Sequence, residues 1–201
     1  MQALLRFSRG VDWLNTQVGK YVIWLILAST VISGVNAVVR KVFNTSSNAF
    51  LEVQWYLFAA SFLLAAGYTL LQGEHVKVDV LSSRLSKRKQ IWIDIFGFIC
   101  FLTPVSLAVI WLGVPFFWQA LQTGEMSSNA GGLIRWPVYL MMPLGFLLLL
   151  LQGWSELIKR IAFLQGLIED PTAKKTEKTA EEDLAEAIRN LAGGKKNTPD
   201  A

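Results

Sequence analysis

Residues 72–90 read QGEHVKVDVLSSRLSKRKQ, a strongly basic stretch caught between two long apolar runs. Lys77, Arg84, Lys87, Arg88 and Lys89 crowd this one short connection, and short loops rich in Lys and Arg stay on the cytoplasmic side of a membrane. The stretch thereby gives the flanking runs an inside and an outside. Composition agrees that there is a membrane to orient against. The 201-residue chain is 53% hydrophobic with a mean hydropathy of +0.40, too apolar for a soluble domain of this size unless much of its surface faces lipid. Its eight Trp fit the same reading, because an indole places an apolar face and one N–H donor at the headgroup boundary. The net charge of +4 reads as topology, and no nucleic-acid partner is expected.

Working outward, four apolar spans are predicted, at residues about 21–40, 50–71, 91–118 and 136–158, each long enough for roughly 30 Å of hydrocarbon. The fold class that follows is an all-α integral membrane protein of four transmembrane helices, with a four-helix domain over residues 21–165. Before it, residues 1–20 place Leu4, Leu5, Val11, Trp13, Leu14 and Val18 on an interrupted apolar stripe edged by Arg6, Arg9 and Lys20. That pattern predicts an amphipathic leader helix lying in the cytoplasmic interface and touching membrane lipid. A cleaved signal peptide is the rival reading, on the small residues of Val35-Asn36-Ala37, but both the leader and the apolar stretch are long for one.

Within the spans, Ser29, Thr30, Ser33 and Gly34 offer small residues for close helix approach. Pro104 lacks a backbone donor, so a kink supported by neighbouring helices is expected there. Cys100, the single cysteine, reads as a small buried apolar group that forms no intrachain disulfide. The tail over residues 166–201 carries a capping-box pattern at Thr179-Ala180-Glu181-Glu182, followed by Leu184, Ile188 and Leu191 on one face. A short helix and a disordered tail both remain open there. Cations at the leader, in the central loop and after the last span put both termini inside, with Arg40 and Lys41 as two cations left outside.

No catalytic constellation appears in the sequence: there is no P-loop, no Gly-x-Ser-x-Gly and no zincin pair. The single His75 rules out bis-histidine haem, so no cofactor is expected. With Glu74 and Asp79 it makes a poor metal site, and His75 and Asp79 are expected instead to hold the cytoplasmic loop through hydrogen bonds. Glu52, Asp94 and Glu156 fall near span ends, where water and headgroups reach them. Glu52 opens the second span, and its expected partner is Arg40 or Lys41 at the end of the first. A chain of this kind is poorly equipped to carry a charged solute by itself and is not expected to be an enzyme.

One segment of the opening loop adds a resemblance. Gly73-Glu74-His75-Val76-Lys77-Val78-Asp79, directly after the second span, is similar to the small membrane subunit of tripartite ATP-independent periplasmic (TRAP) transporters, the DctQ-like family. Arg40, Glu52-x-x-Trp55-x-x-Phe58, Gly124-Glu125-x-Ser127 and Trp136-x-x-Tyr139-x-x-x-Pro143-Leu144-Gly145 agree with it. Family members often carry an acidic pair and a nearby Arg at the start of the second span, where this chain has Glu52, Val53, Gln54 and Trp55. The resemblance implies a scaffold in the bacterial inner membrane that binds a large permease subunit. That subunit would import, on an ion gradient, an organic acid delivered by a periplasmic solute-binding protein. Arg40, Glu52, Trp55, His75, Asp79 and Glu125 are the structural or assembly candidates. The alternative is a four-helix membrane anchor of an enzyme or redox complex.

Overall fold

The computed structural model describes residues 1–44, 47–74 and 85–168. They form four helices: α1 (Gln2–Phe43), α2 (Asn48–Gln72), α3 (Lys87–Thr123) and α4 (Trp136–Leu164), all long and apolar enough to cross a membrane. Among the described residues the only β feature is an isolated antiparallel bridge between Met126 and Ile134. The protein is an all-α membrane protein, and the predicted spans each fall within one of these helices.

Local chemistry sets the helix ends. α2 stops at Gly73 (φ 71°), whose N–H reaches the Leu70 carbonyl, while the Glu74 N–H reaches Thr69. This left-handed cap suits a residue without a Cβ. Gly124 (φ 62°) ends α3 in the same way. α4 begins with Pro137 in its first turn, where a missing N–H has no helical partner to lose.

The leader helix expected over residues 1–20 and the first span are one continuous helix. No proline interrupts residues 2–43, and the single glycines do not suffice to break a helix held from the side. That hold comes from Ser8, Val11, Asn15 and Gly19, all buried. At about 1.5 Å per residue, α1 is about twice the hydrocarbon thickness, so a large part of it stands outside the hydrocarbon.

α4 is the hub. α1 and α2 pack on each other and on α4, whereas α3 packs on α4. Small residues make the close crossings. A Cβ at Gly145 would lie 2.6 Å from the Leu63 carbonyl oxygen, and one at Gly153 would lie 2.6 Å from Leu102 Cδ2. Between α1 and α2, the Ser29 hydroxyl donates to the Gln54 carbonyl at 3.0 Å. Only half of the small-residue stripe faces α2: Ser29 is buried and Ser33 half-buried, but Thr30 and Gly34 are exposed.

α3 answers Pro104 with a π-helical turn over Phe98–Leu102. The Phe98 carbonyl accepts the Thr103 backbone N–H and, at 2.8 Å, the Thr103 hydroxyl. Trp154 Nε1 of α4 donates to that hydroxyl at 3.4 Å, tying the π turn to the neighbouring helix. Cys100 lies in this turn and is exposed, not buried as its apolar sequence surroundings suggest. In a membrane protein an apolar neighbourhood marks lipid-facing surface as readily as core.

Candidate functional site

Two polar clusters stand at opposite ends of α2 and α4. The first joins α2 to the connection between α3 and α4. Asn48, Glu52 and Tyr56 are spaced four apart and so share one face of α2. Asn48 Nδ2 donates to the Ala130 carbonyl at 3.0 Å, and the Tyr56 hydroxyl to Ile134 at 3.2 Å. Between them, Glu52 is 2% exposed. Its Oε2 accepts the Leu133 N–H at 2.6 Å, while Oε1 accepts Asn129 Nδ2 at 2.8 Å and also the Ser127 hydroxyl. One carboxylate thus gathers three donors from a single loop, a charge-assisted set that fixes the loop's path.

The same loop closes on itself. The Ser127 N–H reaches the Leu133 carbonyl and the Arg135 N–H reaches Glu125, both at 2.9 Å. Arg135 Nη1 lies 3.4 Å from Glu125 Oε1 and donates to the Tyr139 hydroxyl at 3.2 Å, and that hydroxyl donates to Glu125 at 3.2 Å. The hydrogen bond to Tyr139, and then the nearby Glu125 carboxylate, hold the Arg135 guanidinium above its usual pKa.

The expected pairing of Glu52 with Arg40 or Lys41 is corrected by this geometry. Both cations are exposed, and among the described residues neither meets Glu52. Arg40 and Lys41 occupy the last turn of α1, where a cation is favoured by the helix dipole without any partner. Trp55 is half exposed and meets Tyr56 edge-to-face at 4.5 Å. Glu52 and Glu125 therefore belong to one loop assembly, with Trp55 beside it. His75 and Asp79 lie outside the described residues, as does the tail beyond Ile168.

The second cluster was not singled out from the sequence. On α4, Gln152, Ser155, Glu156, Lys159 and Arg160 form a polar face at helical spacing. Asp12 of α1 receives Lys159 Nζ at 2.8 Å on Oδ2, and both Gln152 Nε2 and Ser155 Oγ at 2.8 Å on Oδ1. Lys159 also reaches Glu156 Oε1 at 2.6 Å, Glu156 Oε2 receives Arg160 Nη1 at 2.6 Å, and Arg160 Nε meets Asp94 Oδ2 of α3 at 2.9 Å. Arg160 further stacks over the Phe98 ring at 4.8 Å. Ser8 and Ser155 share a 2.7 Å hydroxyl bond, and Asn15 Nδ2 donates to Gln152 Oε1 at 2.9 Å. Glu156 and Arg160 are buried within protein, as is Glu52, which corrects the expectation that water and headgroups reach Glu52 and Glu156. The signal was legible in Gln152-x-x-Ser155-Glu156-x-x-Lys159-Arg160 and in Ser8-x-x-x-Asp12-x-x-Asn15, polar repeats at helical spacing.

Fold and clusters together define a multi-pass, all-α membrane protein whose buried charges among the described residues, Glu52, Glu156 and Arg160, are satisfied by its own helices and one loop. The particular family follows from comparison: the chain belongs to the DctQ family, described as "Tripartite ATP-independent periplasmic transporters, DctQ component", which matches residues 29–163. It is thus a TRAP transporter small permease component. The match covers α2, α3, the connection from α3 to α4, and nearly all of α4. No curated protein and no solved structure matches the chain.

Proposed function

We propose that this small permease component is a fixed scaffold for the large transport subunit. In this reading the large subunit carries an organic acid, handed over by a periplasmic solute-binding protein, inward on an ion gradient. The observation that carries the reading is where the charges go. The Glu52 carboxylate is occupied by loop donors, and Asp12, Glu156, Lys159, Arg160 and Asp94 are occupied by one another. Residues 21–39, 53–71, 95–118 and 136–155 carry no ionisable Asp, Glu, Lys, Arg or His, and of their neutral polar groups Ser29 and Asn36 are buried. A solute or ion path needs ionisable or polar groups facing a water-filled route, and side chains consumed in holding helices together do not offer one.

Both termini lie in the cytoplasm in this reading, and the connection between α3 and α4 faces the periplasm. The supporting observation is the density of Lys and Arg in residues 77–89, against one cation, Arg135, in residues 124–135. The deciding experiment is coexpression with the large subunit encoded beside it. The two are expected to copurify, and uptake is expected to stop when this chain is deleted. A monodisperse lone protein together with surviving uptake would refute the proposal.

A further inference from the structure

We propose that Arg160, acting through Asp94, is a positioning residue for assembly: it locks α3 onto α4 in the placement that the large subunit accepts. The inference rests on the reading of the chain as a small permease subunit. It starts from the packing. α3 leans on α4, so its position is set along one seam.

Most of that seam is not directional. Gly113 against Pro143, Gly153 against Leu102, and the buried Ser106 and Ala120 give close apolar approach. Between apolar helices in lipid, dispersion alone discriminates weakly between neighbouring registers, because ridges of side chains recur every turn. At the far end Phe116 packs on Tyr139 at 4.3 Å and Phe117 meets Trp136 edge-to-face at 6.3 Å, while the contacts that use a charge or a hydrogen bond sit toward the other end: Arg160 Nε to Asp94 Oδ2 at 2.9 Å, Arg160 over Phe98 at 4.8 Å, and Trp154 Nε1 to Thr103 Oγ1 at 3.4 Å. A slip of one turn, about 5.4 Å, breaks all three together.

Arg160 is held to one orientation by its own helix. Glu156 takes Nη1 on a carboxylate oxygen at 2.6 Å and again on its carbonyl at 3.2 Å, which leaves Nε pointing at Asp94. Glu156 is steadied in turn by Lys159, and Lys159 by Asp12 of α1. The cluster therefore sets the azimuth of both α1 and α3 about the hub. Buried ion pairs contribute little net stability, since desolvation offsets the attraction. Their attested use is to select one arrangement among near-equals, because any other strands a charge.

That difference supplies the test. Arg160→Met combined with Asp94→Leu replaces the pair by apolar groups of similar volume and leaves Glu156 with Lys159 and Gln152. The variant and the parent are each coexpressed with the large subunit, and melting of the purified small subunit, recovery of the complex and solute uptake are measured. Expected is an unchanged or raised melting temperature, with complex recovery and uptake reduced roughly tenfold or more. A double variant that assembles and transports like the parent overturns the proposal. So does one that loses melting temperature in step with assembly, because the pair would then act through stability. If the parent chain itself fails to copurify, the functional reading falls, and this inference with it. The first two outcomes leave that reading standing.

Discussion

Gly67 is small because of Asn15. The Asn15 amide is fully buried, its Nδ2 is committed to Gln152, and its Oδ1 has no hydrogen-bond partner. A Cβ at Gly67 would land on that oxygen and lie 3.1 Å from the Leu148 carbonyl, so only hydrogen fits, and a Cα–H is what faces the oxygen. Gly67→Ala is expected to destabilise by about 1–3 kcal/mol, read as a lower melting temperature in detergent. Gly34→Ala is the control. It points into open space and should be neutral, or stabilising by up to about 1 kcal/mol. Glu52 shows where reading at this scale falls short. Sequence singled it out as a structural or assembly candidate and took the nearest cations along the chain, Arg40 or Lys41, as its partner. Its actual donors are 75, 77 and 81 residues away, supplied by a loop that folds back over the start of α2. A span end exposes many groups to one another, and proximity along the chain decides little once helices cross.

At the scale of elements, the connection from α3 to α4 behaves as a shaped part, not a tether. Glu52, Asn48 and Tyr56 hold it from α2, and the Glu125–Arg135–Tyr139 triad holds its far side. Glu52→Ala leaves the Leu133 N–H and the Asn129 amide without their acceptor. Amide exchange at Leu133 is expected to quicken roughly tenfold or more, with new protease cleavage between Ser127 and Gly132, while α1 keeps its protection. Unchanged exchange at Leu133 would show that the loop holds its path without the carboxylate. The same scale explains the two departures among the helices. Leader and span form one helix whose first part is held against α4, where Ser8 bonds Ser155 and Asn15 bonds Gln152. The π turn before Pro104 lets the Phe98 carbonyl find the Thr103 groups, a local solution that hydropathy does not signal.

At the scale of the molecule, α4 serves as hub, with α1 and α2 packed on it together and α3 packed along one seam. Orientation is the prediction that belongs here. In a Cys100→Ala background, a cysteine at Ser128 is expected to react with an impermeant maleimide added to intact spheroplasts. A cysteine at Gln2 should react only after the membrane is opened, and the reverse pattern would invert the topology drawn from the Lys and Arg distribution. By itself the sequence determined the four spans, the all-α class and the family, because apolar length and a patterned loop are local and survive without coordinates. It also named Glu52 and Glu125 as structural or assembly candidates. Only the tertiary structure decided which groups they meet, that the leader continues into α1, and that Asp12, Asp94, Glu156, Lys159 and Arg160 form one ionic chain across three helices. The reason is physical: a span is specified by its own transfer from water to lipid, whereas a buried charge is specified by whichever partner the packing brings within about 3 Å.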